Sequence, residues 1–75
     1  MTNKERAEAI AKVIEGFRLQ MGYFRGDYDD EVIGDLLCDI MHFCGQAEID
    51  FSECLARAGG HYAEELRLER LGVES

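Results

Sequence analysis

The sequence predicts an all-α fold, a compact antiparallel bundle of three helices that forms one domain over residues 1–75. Apolar residues recur at helical rather than alternating spacing, and no proline interrupts the chain. Capping signals and glycines divide it into helices of about 3–21, 30–45 and 51–71. Because a chain of this length buries only about 60% of its unfolded surface, we expect dimerisation to add burial.

The first helix has signals at both ends. Thr2 and Glu5 fit the T-x-x-E pattern of a capping box, and Gly22 is suited to the position that ends a helix. The apolar residues between them share one helical face: Ile10, Val13, Ile14, Phe17 and Met21.

Three aromatic residues lie in the link to the second helix, at Tyr23, Phe24 and Tyr28. Aromatic side chains dominate small cores, so we expect them to cap the end of the core. The alternative is an exposed contact patch.

The second helix begins at an acidic turn, where Asp29 or Asp30 can act as the cap. Its apolar residues cover more than half of its circumference: Val32, Ile33, Leu36, Leu37, Ile40, Met41, Phe43 and Cys44. Such a helix is either the buried centre of its fold or half of a dimer interface. We expect it to be the most buried helix, with Leu36, Leu37 and Ile40 in the core.

The third helix starts at a D-x-x-E pattern formed by Asp50 and Glu53. The Gly59-Gly60 pair could split it. We predict one helix to about Leu71, since the apolar pattern resumes in phase after the pair.

The net charge of −8 is concentrated in the middle of the chain. Nine acidic residues and no Lys or Arg occupy the stretch from Asp27 to Glu53, which leaves seven acidic and eight basic residues elsewhere. Direct nucleic-acid binding is therefore disfavoured, because phosphate contacts need Lys and Arg. A basic protein partner or a divalent cation fits better, and plain solubility is the alternative.

The chain lacks membrane and export signals. No apolar stretch approaches the roughly 18 residues of a membrane span, and the charged N-terminus has no apolar signal core. Cys38, Cys44 and Cys54 form no C-x-x-C pair, so we expect reduced and mostly buried thiols. These features predict a cytoplasmic protein.

One polar stripe on the second helix could carry chemistry. Glu31, Asp35, Cys38, Asp39 and His42 lie along one side of a helix. Three of them, Glu31, Asp35 and Asp39, are candidate Mg²⁺ ligands for metal-assisted attack of water on a phosphate chain. The alternative is an ordinary solvated face. A zinc site at Cys38 and His42 is disfavoured, because no further ligands follow at a known spacing.

The segment from Ile33 to Leu55, with its Gly-Asp pair, Ile-Asp turn and following helix, resembles the MazG-like all-alpha nucleoside triphosphate pyrophosphohydrolases. It is also similar to small phage and bacterial proteins with a Leu-Leu-x-Asp-Leu-x-His-Tyr stretch. The first resemblance implies an all-α fold and Mg²⁺ bound through E-E-x-x-E and E-x-x-D motifs. Asp35 matches the last position of the second motif, whereas Val32 stands where the family has Glu.

Three functions follow, of which we favour a non-enzymatic interaction module, a phage- or bacterial-type regulator or inhibitor that binds a basic protein surface. Its contact residues would be Asp27, Asp29, Asp30, Glu31, Asp35 and Asp39. It needs no cofactor and has no catalytic residue. The alternatives are a Mg²⁺-dependent pyrophosphohydrolase or nucleotide-binding protein, and a structural homodimer in which the second helix pairs with its copy.

Overall fold

A computed structural model describes residues 1–22 and 29–72, which form three helices and no strand. The helices are α1 (Asn3–Met21), α2 (Asp29–Ala47) and α3 (Phe51–Arg70). This confirms the all-α fold class and the three predicted helices. The bounds of α1 agree with the prediction, α2 begins one residue earlier and ends two later, and α3 ends one residue earlier.

The predicted caps form at the starts of α1 and α3. The Thr2 hydroxyl oxygen accepts from the Glu5 backbone N–H at 3.1 Å, and the Glu5 carboxylate accepts from the Thr2 N–H at 3.0 Å. At α3, the Asp50 carboxylate accepts from the Glu53 N–H at 3.1 Å. Each cap satisfies backbone donors that the first turn of a helix leaves without an intrahelical partner. Helix α3 also runs unbroken through Gly59-Gly60, as predicted.

Left-handed residues end the first two helices. Gly22 has φ 76°, and its N–H donates to the carbonyls of Arg18 and Leu19. The end of α2 was predicted at Gly45, but the helix continues to Ala47 and ends at Glu48, with φ 58°. The Ile49 N–H then donates to the Cys44 carbonyl at 2.9 Å, the bond of a Schellman motif. A glutamate therefore occupies a conformation that glycine adopts at lower cost.

Helix α2 contacts both other helices, and polar side chains join α1 to α3. The Arg6 guanidinium lies 2.7 Å from the Glu65 carboxylate, and the Asn3 amide donates to the Glu65 carbonyl at 3.2 Å. The molecule measures 40 × 32 × 17 Å.

The buried residues confirm α2 as the centre of the fold. Within the described part of the chain, the buried apolar side chains are Val32 and Cys44, which are 1% and 6% exposed. The expectation that Leu37 and Ile40 are core residues is wrong for the single chain, because they are 43% and 38% exposed, and Leu36 is half-buried. The reason is geometric, since α1 and α3 cover only part of the broad apolar arc of α2.

The cysteines are all free thiols, but two of the three lie at the surface. Cys44 is buried, whereas Cys38 and Cys54 are exposed. The prediction of mostly buried thiols is therefore wrong, since Cys38 and Cys54 lie on sides of their helices that no neighbouring helix covers. The predicted capping role of Tyr23, Phe24 and Tyr28 falls outside the described residues.

Candidate interaction surfaces

The first candidate surface is an acidic edge formed by Glu31, Asp35 and Asp39, which follow one another at intervals of four residues on α2. All three are exposed. At about 100° per residue they lie on one side of the helix, and Asp35 and Asp39 are about 160° around the axis from Leu37. The stripe predicted from spacing is therefore present as one negatively charged side of α2.

The other predicted acidic contacts are in different places. The Asp29 carboxylate pairs with the Arg18 guanidinium at 2.5 Å, and the Arg18 side chain is only 11% exposed. Asp30 accepts from the Glu31 N–H at 3.0 Å, in the first turn of α2. By helical geometry Asp30 lies on the Leu37 side rather than on the acidic edge. Asp27 falls outside the described residues.

A metal centre was the chemical alternative for Glu31, Asp35 and Asp39. Over residues 1–22 and 29–72, no three His, Cys, Asp or Glu side chains are grouped so that they could hold a metal ion. Carboxylates on one helix at intervals of four stand along the axis, each about 6 Å of rise from the next, and do not converge on a point. Mg²⁺ binding there stays a prediction from the sequence, and the geometry adds no support to it.

The second candidate surface is an apolar ridge on α2, formed by Ile33, Leu37, Ile40 and Met41. These side chains are 42%, 43%, 38% and 54% exposed. They lie beside the buried Val32 and Cys44 and the half-buried Leu36, and they continue the same apolar arc onto the exposed side of the helix. Scattered apolar residues are normal on protein surfaces, whereas a contiguous row of this kind is a candidate contact site.

A shallow groove of about 400 Å³ separates the amino-terminal half of α1 from the carboxyl-terminal half of α3. Ile10 and Tyr62 line it and are more than half exposed, and Ala7 and Leu66 lie beside them. The groove exists because Asn3, Arg6 and Glu65 join these helices at a polar edge rather than through their apolar faces. It adds to the apolar surface that the single chain leaves uncovered.

Comparison of the chain with protein-family models, with curated proteins and with solved structures found no match. The resemblance to the MazG-like enzymes and to small phage and bacterial proteins therefore stays a prediction. Among the helices that the structure describes, none is both long and apolar enough to cross a membrane.

Two features of these surfaces were missed by reasoning from the sequence. Leu37 and Ile40 of the apolar ridge were assigned to the core, although the breadth of the apolar arc on α2 had also indicated an interface. The role of Glu65, which accepts from both Asn3 and Arg6, had no sequence signal. Such a contact joins residues about 60 positions apart and depends on how α1 and α3 cross.

Proposed function

We propose that this chain is an acidic helical protein-interaction module, cytoplasmic, whose acidic edge binds a basic surface on a partner protein. One observation carries the proposal. The exposed carboxylates of Glu31, Asp35 and Asp39 share one side of α2, within a stretch from Asp29 to Ala56 that contains no Lys or Arg. An unbroken charged surface attracts an oppositely charged partner and orients its approach.

The partner is defined by its chemistry. Lys and Arg side chains clustered on a surface that ordinarily holds nucleic acid have the charge and spacing to meet a row of carboxylates. A chain that occupies such a surface competes with nucleic acid for it and acts as a regulator or inhibitor. The affinity of such a contact falls as salt concentration rises, because exposed charges are screened.

Paired charge variants test the proposal. Glu31→Gln with Asp39→Asn removes two carboxylates from the acidic edge. Glu8→Gln with Glu53→Gln removes two exposed carboxylates elsewhere, so both variants have the same net charge. Glu8 and Glu53 each have one exposed ion pair, with Lys4 and Arg57, and such pairs contribute little to stability.

The measurement is recovery of a bound protein from bacterial extract by each immobilised chain, at about 50 mM and about 300 mM salt. We expect the acidic-edge variant to lose most of the recovered protein at both salt concentrations. The control variant should behave like the wild type, with weaker recovery at high salt. Equal recovery by the two variants, or recovery that salt does not weaken, would contradict a contact through the acidic edge.

A further inference from the structure

The total exposed surface of the single chain is larger than that of a compact molecule of this size. The chain exposes 6268 Å², whereas a compact 8.5 kDa monomer exposes roughly 4,700 Å². Its radius of gyration is 14.6 Å, against roughly 11 Å expected for 75 residues. Folded domains bury their apolar faces between layers of secondary structure, yet among the described residues the buried apolar side chains are Val32 and Cys44.

We propose that a second copy of this chain covers the exposed apolar residues of α2, by packing its own apolar ridge against the ridge of the first. This goes beyond the proposed function, because the ridge and the acidic edge are different sides of α2. The excess exposed area is about 1,600 Å² per chain, which exceeds the roughly 800 Å² that each partner buries in a standard interface and fits a permanent dimer.

The ridge has the symmetry that a contact between identical chains requires. In a two-fold dimer the same patch lies on both partners, so residues on either side of the axis exchange places. Ile33 and Met41 lie four residues before and after Leu37, which makes Leu37 the middle of the ridge. Two copies of α2 that cross antiparallel at Leu37 bring the two Leu37 side chains together and place apolar residues on both sides of them.

The charge distribution favours this arrangement over others. Each chain carries a net charge of −8, so two copies repel unless their carboxylates are held apart. Because Asp35 and Asp39 lie about 160° around the helix from Leu37, pairing through the ridge directs both acidic edges away from the contact, and Asp30, on the Leu37 side, lies about two helical turns from its centre. The interface is then uncharged at its centre, as obligate interfaces are, and both acidic edges stay exposed for a basic partner.

Substitutions at two neighbouring positions of α2 test this proposal, and the measurement is the mass of the particle in solution. Sedimentation equilibrium of the reduced wild-type chain at about 10 µM should give twice the 8.5 kDa of one chain. Leu37→Glu places two like charges against each other at the centre of the contact, and should raise the dissociation constant roughly 100-fold or more. Cys38→Glu adds the same charge at an exposed position about 100° away on the helix, and should stay dimeric.

A wild-type chain that sediments as a monomer would overturn the proposal. This holds even if a different protein is found to bind the ridge. Leu37→Glu and Cys38→Glu variants that dissociate equally would also overturn it. A cross-link gives a second measurement that does not depend on the stability of Leu37→Glu.

Leu37→Cys, in a Cys38→Ser and Cys54→Ser background, should form a covalent dimer on mild oxidation. A disulfide requires Cα atoms about 4.4–6.8 Å apart, which the two-fold contact provides at position 37. The Cys54→Ser chain, which keeps Leu37 and the exposed Cys38, is the matched control and should stay uncross-linked. Equal cross-linking in both chains, or none in either, contradicts pairing at Leu37.

Discussion

Helix α2 has two apolar rows that look alike in the sequence and differ in the structure. Val32, Leu36, Ile40 and Cys44 follow one another at four-residue intervals, and the end members Val32 and Cys44 are buried in the single chain. Ile33, Leu37 and Met41 repeat at the same four-residue interval, and each is more than 40% exposed. Helical spacing therefore predicts which side of a helix is apolar, but what covers that side depends on the number of neighbouring helices.

The largest effect that distinguishes the two rows is expected for Leu37→Ala. At concentrations where the dimer forms, removal of this side chain should lower the free energy of unfolding by about 2–5 kcal/mol, the range for buried leucines. In a dilute monomeric chain, where the side chain is already 43% exposed, we expect a loss of about 1 kcal/mol. Urea unfolding at two protein concentrations about 100-fold apart measures the difference.

Val32→Ala is the control for that measurement. Val32 is 1% exposed within the single chain, so its loss should cost about 2 kcal/mol at either protein concentration. If the stability loss of Leu37→Ala is also the same at both protein concentrations, the two rows are equally covered in solution. The proposed difference between them is then wrong.

The ends of the helices were predicted better than the burial of their apolar faces, because capping signals are local in the sequence. A cap such as Thr2 with Glu5, or Asp50 with Glu53, depends on backbone groups within one turn, so the chain sequence contains the whole interaction. Burial of Leu37 depends on whether another helix lies across it, which no local pattern encodes. The same holds for Asp29, whose partner Arg18 belongs to another helix, whereas the one-sided placement of Glu31, Asp35 and Asp39 followed directly from their spacing.

A smaller effect is expected for a substitution at the end of α2, which stabilises the helix without altering either apolar row. Glu48 has φ 58° at the end of the helix, a left-handed conformation that costs a residue with a side chain about 1 kcal/mol relative to glycine. We expect Glu48→Gly to raise the free energy of unfolding by up to about 1 kcal/mol, with the same gain at low and high protein concentration. Thermal unfolding followed by circular dichroism gives the sign of the change.

Gly22→Ala is the matched opposite of that substitution. Gly22 has φ 76° at the end of α1, so adding a side chain there should destabilise the helix by about 1 kcal/mol. A stabilising Gly22→Ala or a destabilising Glu48→Gly would show that the helix ends are not limited by left-handed backbone.

The smallest expected effect is a pH dependence of helix stability at the start of α1, which involves neither apolar row of α2. The pKa of the Glu5 carboxyl is lowered from its ordinary 4.5, first by the Thr2 backbone N–H and second by the Thr2 hydroxyl. A depressed carboxyl pKa in the folded state adds stability that is present above 4.5 and is lost as pH falls through the lower folded value. Helicity of the wild type should therefore decrease in this acid range, as circular dichroism measures.

Thr2→Ala removes the hydroxyl from the capping box and so should weaken this acid dependence while lowering helix stability at neutral pH by about 1 kcal/mol. The two curves should approach each other as pH falls, because protonated Glu5 no longer contributes its full share of the cap. A constant difference between wild type and Thr2→Ala across the acid range would show that the capping hydrogen bonds do not depend on the charge of Glu5. An acid-range loss of helicity would then have to come from other carboxylates, such as Glu64 of α3, whose pKa is lowered by its hydrogen bond to the Arg67 guanidinium.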